Sequence, residues 1–526
     1  MLAAPAEKVG AGRRFARQGL AALRARGFAA SLALALVASG CSDGAVGRMA
    51  PGEDSEAPGR SASSDRCAGL ATSEPPGAEL VEITGPSCLG QGAGQPGFAG
   101  NPAEPVTAFD ATHNYVTFFS TAEPHDVLVT RFDGRACTPA MRVNPGPGGD
   151  RSHDAPSVFV DGLGYVYVAY FGSHHRWGTR PPLRRTRRPH DLTAWEPETR
   201  ARLFNSGELN GFQLDDGAVV LVGSNLSTRI DVIEPGGGYR WPAARQVVAQ
   251  DTRPGGSACG SRGNRFTKGV VEAGWRTPEG AQVLVATWGW GGGFDEDVRP
   301  AWLCPDIRDY PTDSHEVFFA FSEDGGLTWQ DKDRTKRVEA PLCFADSACA
   351  HDQGIRHNDP AFRVTRTRQR SHRAIWAHDD GTVYIAFERS QWCDSGEDCP
   401  KRNATQPGAL GLLRFRLGGP VEERLVDPAP HSYTAGVRKS GDSLFVWSKS
   451  DRDQMVYEYR SDDEGVTWSR TAIARGYRLH GATRIPCLDS IRLAISAGGN
   501  PLKVYHYRRT FGARTSGERS KADGTS

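Results

Sequence analysis

An eight-residue turn pattern occurs twice in this chain and constrains its fold more than any other feature. Ser322-Glu323-Asp324-Gly325-Gly326-Leu327-Thr328-Trp329 returns as Ser461-Asp462-Asp463-Glu464-Gly465-Val466-Thr467-Trp468, so both copies fit Ser-x-Asp-x-Gly-x-Thr-Trp. Each follows an alternating, strand-like run, residues 317–321 and 456–460. The residue types suit a tight turn between two strands. Ser and Asp oxygens can hold backbone N–H groups, and Gly supplies a positive φ. Thr suits the start of a following strand, and Trp is a large apolar plug.

The pattern resembles the Asp-box, or BNR repeat, of sialidases and many other β-propeller proteins. That resemblance implies a turn joining the outer two strands of a blade, away from the binding face. Ser322, Asp324, Gly326, Thr328 and Trp329, with Ser461, Asp463, Gly465, Thr467 and Trp468, are therefore expected to be structural. They speak to the fold and leave the reaction open.

The rest of the chain reads the same way. Gly 62 and Pro 34 stand beside Trp 12, Phe 22 and Tyr 13, the mixture expected of many short strands, frequent turns and aromatic plugs. Seven units of strand-like alternation follow one another. The first spans residues 116–130, the second 153–170, and the third turns at Asp216-Gly217. The fourth holds residues 283–286 and the first turn repeat, and the fifth runs from His357 past Asp380-Gly381. The sixth starts at His431 and ends in the second repeat, and the seventh runs from His480 to Tyr507. The expected fold is all-β, a seven-bladed propeller with Asp-box turns. Six blades is the alternative, because the first unit is the weakest.

The flanks suggest export. Arg13, Arg14, Arg17, Arg24 and Arg26 precede a short apolar run at residues 27–37, well under the ~20 residues of a membrane span. Ala38-Ser39-Gly40-Cys41 resembles a bacterial lipobox, which implies lipidation of Cys41 and a place in the cell envelope, as an outer-membrane or periplasmic lipoprotein. The expected organisation is a signal peptide at 1–40, a disordered tether at 41–66, the propeller at 67–511 and a disordered tail at 512–526. Ten cysteines remain besides Cys41, an even number that suits disulfides in an exported chain; Cys343–Cys349, Cys393–Cys399 and Cys67–Cys88 are candidate pairs, with the connectivity open. A net charge of +1 provides no global field for nucleic acid. Contact with a membrane is expected through the lipid anchor alone, and a monomer is expected.

Four units open their innermost strand with histidine: His153, His357 (followed by Asn358 and Asp359), His431 (with Tyr433 beyond it) and His480. In a propeller the same end of every inner strand rims the central funnel, so these side chains would converge on one pocket. Imidazole is the usual group for proton transfer near neutral pH. An equally weighted alternative is that the histidines hydrogen-bond between neighbouring blades and stiffen the funnel. No acidic partner spacing supports a metal site, so neither metal nor cofactor is expected.

The second unit carries a further resemblance. Asp150-Arg151-Ser152-His153-Asp154-Ala155-Pro156-Ser157 leads through Gly164-Tyr165-Val166-Tyr167-Val168 to Phe171-Gly172-Ser173-His174. With residues 115–119 upstream and 187–193 downstream, it resembles the BNR-repeat family that includes propeller polysaccharide lyases acting on ulvan. The resemblance implies an anionic polysaccharide as ligand and His153 and His174 as catalytic residues. In β-elimination a base removes the proton beside a uronate carboxylate, an acid protonates the leaving oxygen, and cations neutralise the carboxylate. The family also uses a tyrosine opening the next blade and an arginine closing its second strand. Residues 208–212 and 222–225 carry neither; Arg229 and Tyr433 are the candidate substitutes. His357, Asn358, Asp359, His431, Tyr433, His480 and Arg229 are thus the expected substrate-binding set. Two alternatives stand beside the lyase. One is a non-catalytic glycan- or protein-binding propeller. The other is an exo-sialidase-like hydrolase, for which Asp154, Asp359 and Glu388 offer acids although Arg484-Ile485-Pro486 falls in the last unit.

Overall fold

The computed structural model describes residues 77–82, 107–109, 113–119, 126–133, 136–144, 156–170, 180–203, 208–224, 228–248, 265–266, 269–289, 291–292, 317–342, 360–365, 369–389, 408–476, 478–480, 490–497 and 503–511. They belong to one compact unit, residues 59–526. Among them there is no α-helix, only a short 3-10 turn at Pro360–Phe362.

The strands form antiparallel sheets taken up one after another along the chain. The first sheet contains Thr107–Phe109, Asn114–Phe119, Val127–Phe132 and Met141–Arg142. The second contains Ser157–Val160, Val166–Ala169, Pro182–Arg185 and Thr199–Arg200. Glu208–Gln213, Val219–Ser224, Thr228–Ile233 and Arg245–Val248 make the third. The fourth is built on Val270–Arg276, Gln282–Trp288 and Val317–Ser322, with three short strands completing it. The fifth has seven strands, from Gln369–Ala377 to Ser469–Arg475. The sixth joins Arg478–His480, Ser490–Ala497 and Lys503–Thr510 to Gly77–Glu82.

The core lies between consecutive sheets, which explains why their strands are apolar on both faces. Along Val317–Ser322 every residue is buried. Alternate side chains point opposite ways. Phe318 and Ala320 pack towards the third sheet with Ile230 and Trp329, whereas Val317, Phe319 and Phe321 pack towards the fifth with Ile385 and Leu413. Burying each such aromatic or branched side chain stabilises by roughly 1.5–3 kcal/mol. Comparable clusters join the first sheet to the second, the second to the third and the fifth to the sixth.

The last sheet closes on the first. Gly77–Glu82 pairs in register with Lys503–Thr510, and Arg508 holds Glu79 at 2.5 Å. Arg492 Nη1 donates to Asn114 Oδ1 at 2.8 Å in a buried position, and the rings of Phe132 and His506 meet edge-on at 5.6 Å. The sheets thus have a propeller-like arrangement.

Five separate blade-like sheets of four to six strands and one of seven take the place of the seven separate blades expected. The cause is the 19-residue strand Glu422–Ser440. Its first part pairs with Gly408–Arg416, and from His431 onward it pairs with Ser443–Ser450. The two halves of this sheet pack on each other, Tyr384 and Leu412 against Val446 and Tyr459.

The first turn repeat connects the third strand of its sheet to the fourth, and the second connects the last two strands of the fifth sheet. Ser322 Oγ accepts the Gly326 amide at 2.7 Å, Asp324 Oδ1 accepts the amides of Leu327 and Thr328 at 3.0 and 2.9 Å, and Asp324 Oδ2 accepts Thr328 Oγ1. Ser461, Asp463, Gly465, Val466 and Thr467 repeat every one of these bonds. Gly326 and Gly465 have φ of 90° and 91°, the left-handed geometry that glycine adopts without steric cost.

Cys137 is the one cysteine among the described residues, and it is disulfide-bonded. Cys41, the signal segment, the terminal tail and the candidate pairs Cys343–Cys349, Cys393–Cys399 and Cys67–Cys88 lie outside the described residues.

Candidate functional site

The fifth sheet carries the best-defined polar site, where its long strand crosses from one half to the other. The crossing reads Asp427-Pro428-Ala429-Pro430-His431. Two prolines remove backbone donors and fix φ, so regular pairing cannot continue. The register slips here: His431 faces Gly408 while Asp427 faces Leu410. Asp427 Oδ1 accepts the Ala429 amide at 2.8 Å and fixes the bend.

Side chains from three other strands converge on it. His431 is fully buried, with Nδ1 at 3.0 Å from Ser448 Oγ and Nε2 at 3.2 Å from the Tyr459 hydroxyl. Tyr459 donates to Asp427 Oδ2 at 2.7 Å, and Arg470 Nη1 donates to the same oxygen at 3.0 Å. The Arg470 guanidinium lies over the Tyr457 ring at 4.8 Å, and Tyr457 is tied to Asp453 Oδ2 at 2.6 Å. Beside them Asp451 Oδ1 takes Lys449 Nζ at 3.1 Å and the Ser432 hydroxyl. Burial would raise the Asp427 pKa, but hydrogen bonds from His431, Tyr459 and the Ala429 amide outweigh it and hold the carboxyl well below the usual range. Burial and the neighbouring Asp427 push the Tyr459 hydroxyl up.

These residues border a cavity of about 690 Å³, lined by Asp427, Pro428, Pro430, Asp451, Arg452 and Arg470. A volume of that order suits a small ligand or a few sugar rings. A carboxylate so firmly ionised is a poor proton acceptor near neutral pH.

Among the described residues, the expected site residue His431 enters this network, and it does so from the inside. Its ring reaches no solvent, so the expectation of direct ligand contact is corrected. Tyr433 lies in the same strand opposite Lys449, and His480 ends the short strand Arg478–His480 of the sixth sheet, opposite Ala494. Arg229 faces Gly223, beside the end of the second strand of its sheet but one strand further out; it is half-buried, which lowers its pKa. Glu388 is buried. His153, His174, His357, Asn358 and Asp359 lie outside the described residues. Among the described residues no group of three or more His, Cys, Asp or Glu could hold a metal ion.

In the second sheet Ser157 pairs with Ala169, and Val160 pairs with Val166. The Val160–Val166 end is a packed structural unit. His190, with φ of 58°, accepts or donates a 2.7 Å bond with the Tyr115 hydroxyl, and its carbonyl accepts Arg131 Nη1 at 2.8 Å. Its ring leaves no room for a Cβ at Gly164, where one would come within 2.2 Å. The arginines at 184–187 serve the same packing: Arg184 binds the Val143 and Glu196 carbonyls, Arg185 binds the Glu196 carboxylate, and Arg187 binds the Trp195 carbonyl.

Sequence reasoning passed over Asp427, Asp451, Arg452, Tyr459 and Arg470. The proline-flanked Asp427 was the one available signal, since a proline pair inside a strand marks a bend that some side chain must stabilise.

The architecture is that of a propeller, and solved structures agree. An ulvan lyase described as a new family of polysaccharide lyase, PL25, aligns over 82% of this chain and 99% of its own, with a TM-score of 0.56 at 14% identity. The same kind of lyase bound to -[GlcA(1-4)Rha3S]- aligns over the same shares with a TM-score of 0.57 at 14% identity. At such identity the likeness establishes the fold and no more. No protein-family model matches the chain, and no curated protein sequence matches it.

Proposed function

We propose that this chain is an exported, lipid-anchored propeller that binds an anionic polysaccharide and cleaves it by β-elimination. The observation that supports this reading is the contact of the resembling segments with one another: those at 115–119, 164–168 and 187–193 interlock around His190. The stretches carrying His153 and His174 belong to the same resembling run of sequence. In this reading one histidine takes the proton at C5 of the uronate. The C4–O bond then breaks, a C4–C5 double bond forms, and the other histidine protonates the leaving oxygen. His357, Asn358, Asp359, Tyr433, His480 and Arg229 would line the substrate path, with arginine neutralising the carboxylate.

The finer points of architecture belong to the same proposal. The two halves of the fifth sheet count as two blades sharing one strand, which brings the ring to seven between residues 67 and 511. The two repeats are Asp-boxes, and Cys41 carries the lipid that holds residues 41–66 as a tether.

The test is the ultraviolet absorbance of unsaturated uronate released from ulvan and other uronate polysaccharides. The wild-type chain should produce it, and His153→Ala or His174→Ala should each lower the rate by roughly 10²–10⁴-fold. No product from any uronate polysaccharide overturns the lyase reading. Retained binding would then leave a glycan-binding propeller, and cleavage of a sialoside would point to the hydrolase.

A further inference from the structure

The cavity at the Asp427 crossing has a charge pattern with a direction. Asp427 is matched by Arg470, and Asp451 is matched by the buried Lys449. Arg452, exposed in the turn after Ser450, faces no carboxylate partner among the described residues and leaves the cavity with one unmatched positive charge. Arg470 is half exposed, 51% against 8% for Asp427, yet it is not loose. Its Nη1 is fixed by Asp427, its plane by the Tyr457 ring, and Tyr459 is a further hydrogen-bond partner, so only part of its five-donor fork is engaged. A surface arginine with its orientation set and donors to spare is suited to a planar or tetrahedral anion, because less side-chain freedom is lost on binding. Pro428 and Pro430 add flat apolar faces against which a sugar ring can lie. Asp451, whose Oδ1 alone is occupied, offers a second oxygen to a hydroxyl.

We propose that this cavity is a second carbohydrate subsite, in which Arg470 and Arg452 hold the acidic substituent of a saccharide. The chemistry shared by its ligands is a carboxylate or a sulfate ester on a sugar. Asp427 and His431 are positioning residues there: they fix Arg470 and do not touch the sugar. The inference rests on the polysaccharide reading above but uses none of its catalytic residues. The cavity borders the fifth sheet, so an extended chain bound both there and at the proposed catalytic residues would be held at two points. The consequence is tighter retention of long anionic chains than of short ones.

The experiment is calorimetric titration of the full chain with three probes: oligogalacturonate for the carboxylate, carrageenan oligosaccharide for the sulfate, and maltohexaose as neutral control. Arg452→Ala and Arg452→Glu are the primary variants, since the exposed side chain contributes nothing to packing. Arg470→Lys keeps the charge and the Asp427 pair but loses the fork. Binding of either anionic probe should weaken about tenfold in Arg452→Ala and further in Arg452→Glu, in line with loss of one charge-assisted contact. Arg470→Lys should weaken it as well. Which anionic probe binds tells carboxylate from sulfate. Two outcomes overturn the inference: neither anionic probe binds the wild-type chain, or binding is indifferent to Arg452 and Arg470. Elimination activity measured on the same samples separates the two ideas. Lyase activity with KM unaffected by the Arg452 variants sinks the subsite and leaves the enzyme standing. Arginine-dependent binding without elimination does the reverse.

Discussion

The two turn repeats have the same bonds inside and different attachments outside. In both, the carbonyl of the fourth residue accepts an arginine from the strand that ends the preceding unit: Arg245 reaches Gly325, and Arg424 reaches Glu464 at 2.6 Å. At the first repeat Gly325 has no side chain to add; Arg245 also stacks on Trp241 at 3.9 Å, and Arg337 donates to Thr328 Oγ1 and Asp324 Oδ2 at 2.8 and 3.1 Å. At the second, Glu464 keeps the same left-handed backbone, φ 59° against 70°, and uses its carboxylate to take Tyr384, Arg414 and Lys439. The tryptophans diverge in the opposite sense. Trp329 is fully buried in the cluster between third and fourth sheets, whereas Trp468 only flanks its cluster and donates Nε1 to the Gly465 carbonyl at 3.1 Å. The first repeat is therefore anchored mainly by burial of its tryptophan, with arginine contacts beside it, and the second mainly by the polar network at its fourth residue. An eight-residue pattern dictates its own conformation, and the neighbouring strands choose how it is anchored.

That contrast can be broken most forcefully at the tryptophans. Trp329→Ala should cost about 3–5 kcal/mol, the value of a large aromatic removed from a closed core. Trp468→Ala should cost about 1–2 kcal/mol, because much less of its surface leaves water. Denaturant melts of the two variants decide the matter, and equal losses would refute the division into apolar and polar anchors.

A smaller effect follows from exchanging the fourth residues. Gly325→Glu places a side chain in left-handed backbone, and its Cβ would come to 3.1 Å from Arg245 Nη1. A loss of about 1–2 kcal/mol is expected. Glu464→Gly relieves that backbone cost but forfeits partly exposed ion pairs, so the net change should stay within about 1 kcal/mol. Thermal unfolding of both variants reads the asymmetry; a large loss at Glu464 would mean that its network holds the two halves of the fifth sheet together.

The mildest test is acid. Hydrogen bonds from the Thr467 hydroxyl and amide and from Ser461 lower the Asp463 pKa to about 2. At Asp324 burial works the other way, yet the bonds from Thr328 and Ser322 prevail and lower it too. A depressed carboxyl stabilises the fold above its unfolded pKa of ~3.9, and that contribution is lost as pH falls through the folded value. Melting temperature should therefore decline from about pH 4 towards pH 2, and Asp463→Asn should start lower and decline less. An unchanged slope would mean that the turns take no part in acid unfolding.

How much of this was legible depends on how far apart the partners lie. Asp324 and Asp463 find all their turn partners within a few residues, so residue types alone announced both turns. The strand units were legible for a similar reason, since sheets covered on both sides demand unbroken apolar runs such as residues 383–387. The cavity beside Asp427 was not legible. Arg470 meets Asp427 across 43 residues, and Glu464 meets Tyr384 across 80. Nothing local marks either pair. His431 shows the limit from the other side: it opens an inner strand as read from the sequence, yet the packing of Ser448, Tyr459 and Asp427 encloses its ring.

By itself, then, the sequence determined an all-β chain with two self-closing turns and apolar strands in serial order, because each depends on side chains close in the chain. The tertiary structure alone decided three things. Gly77–Glu82 completes the sheet of the last strands, Glu422–Ser440 runs unbroken through two units, and Arg470 is aimed at a cavity beside Asp427. Each depends on strand pairing or charge contact between distant segments, which come together only when neighbouring sheets pack.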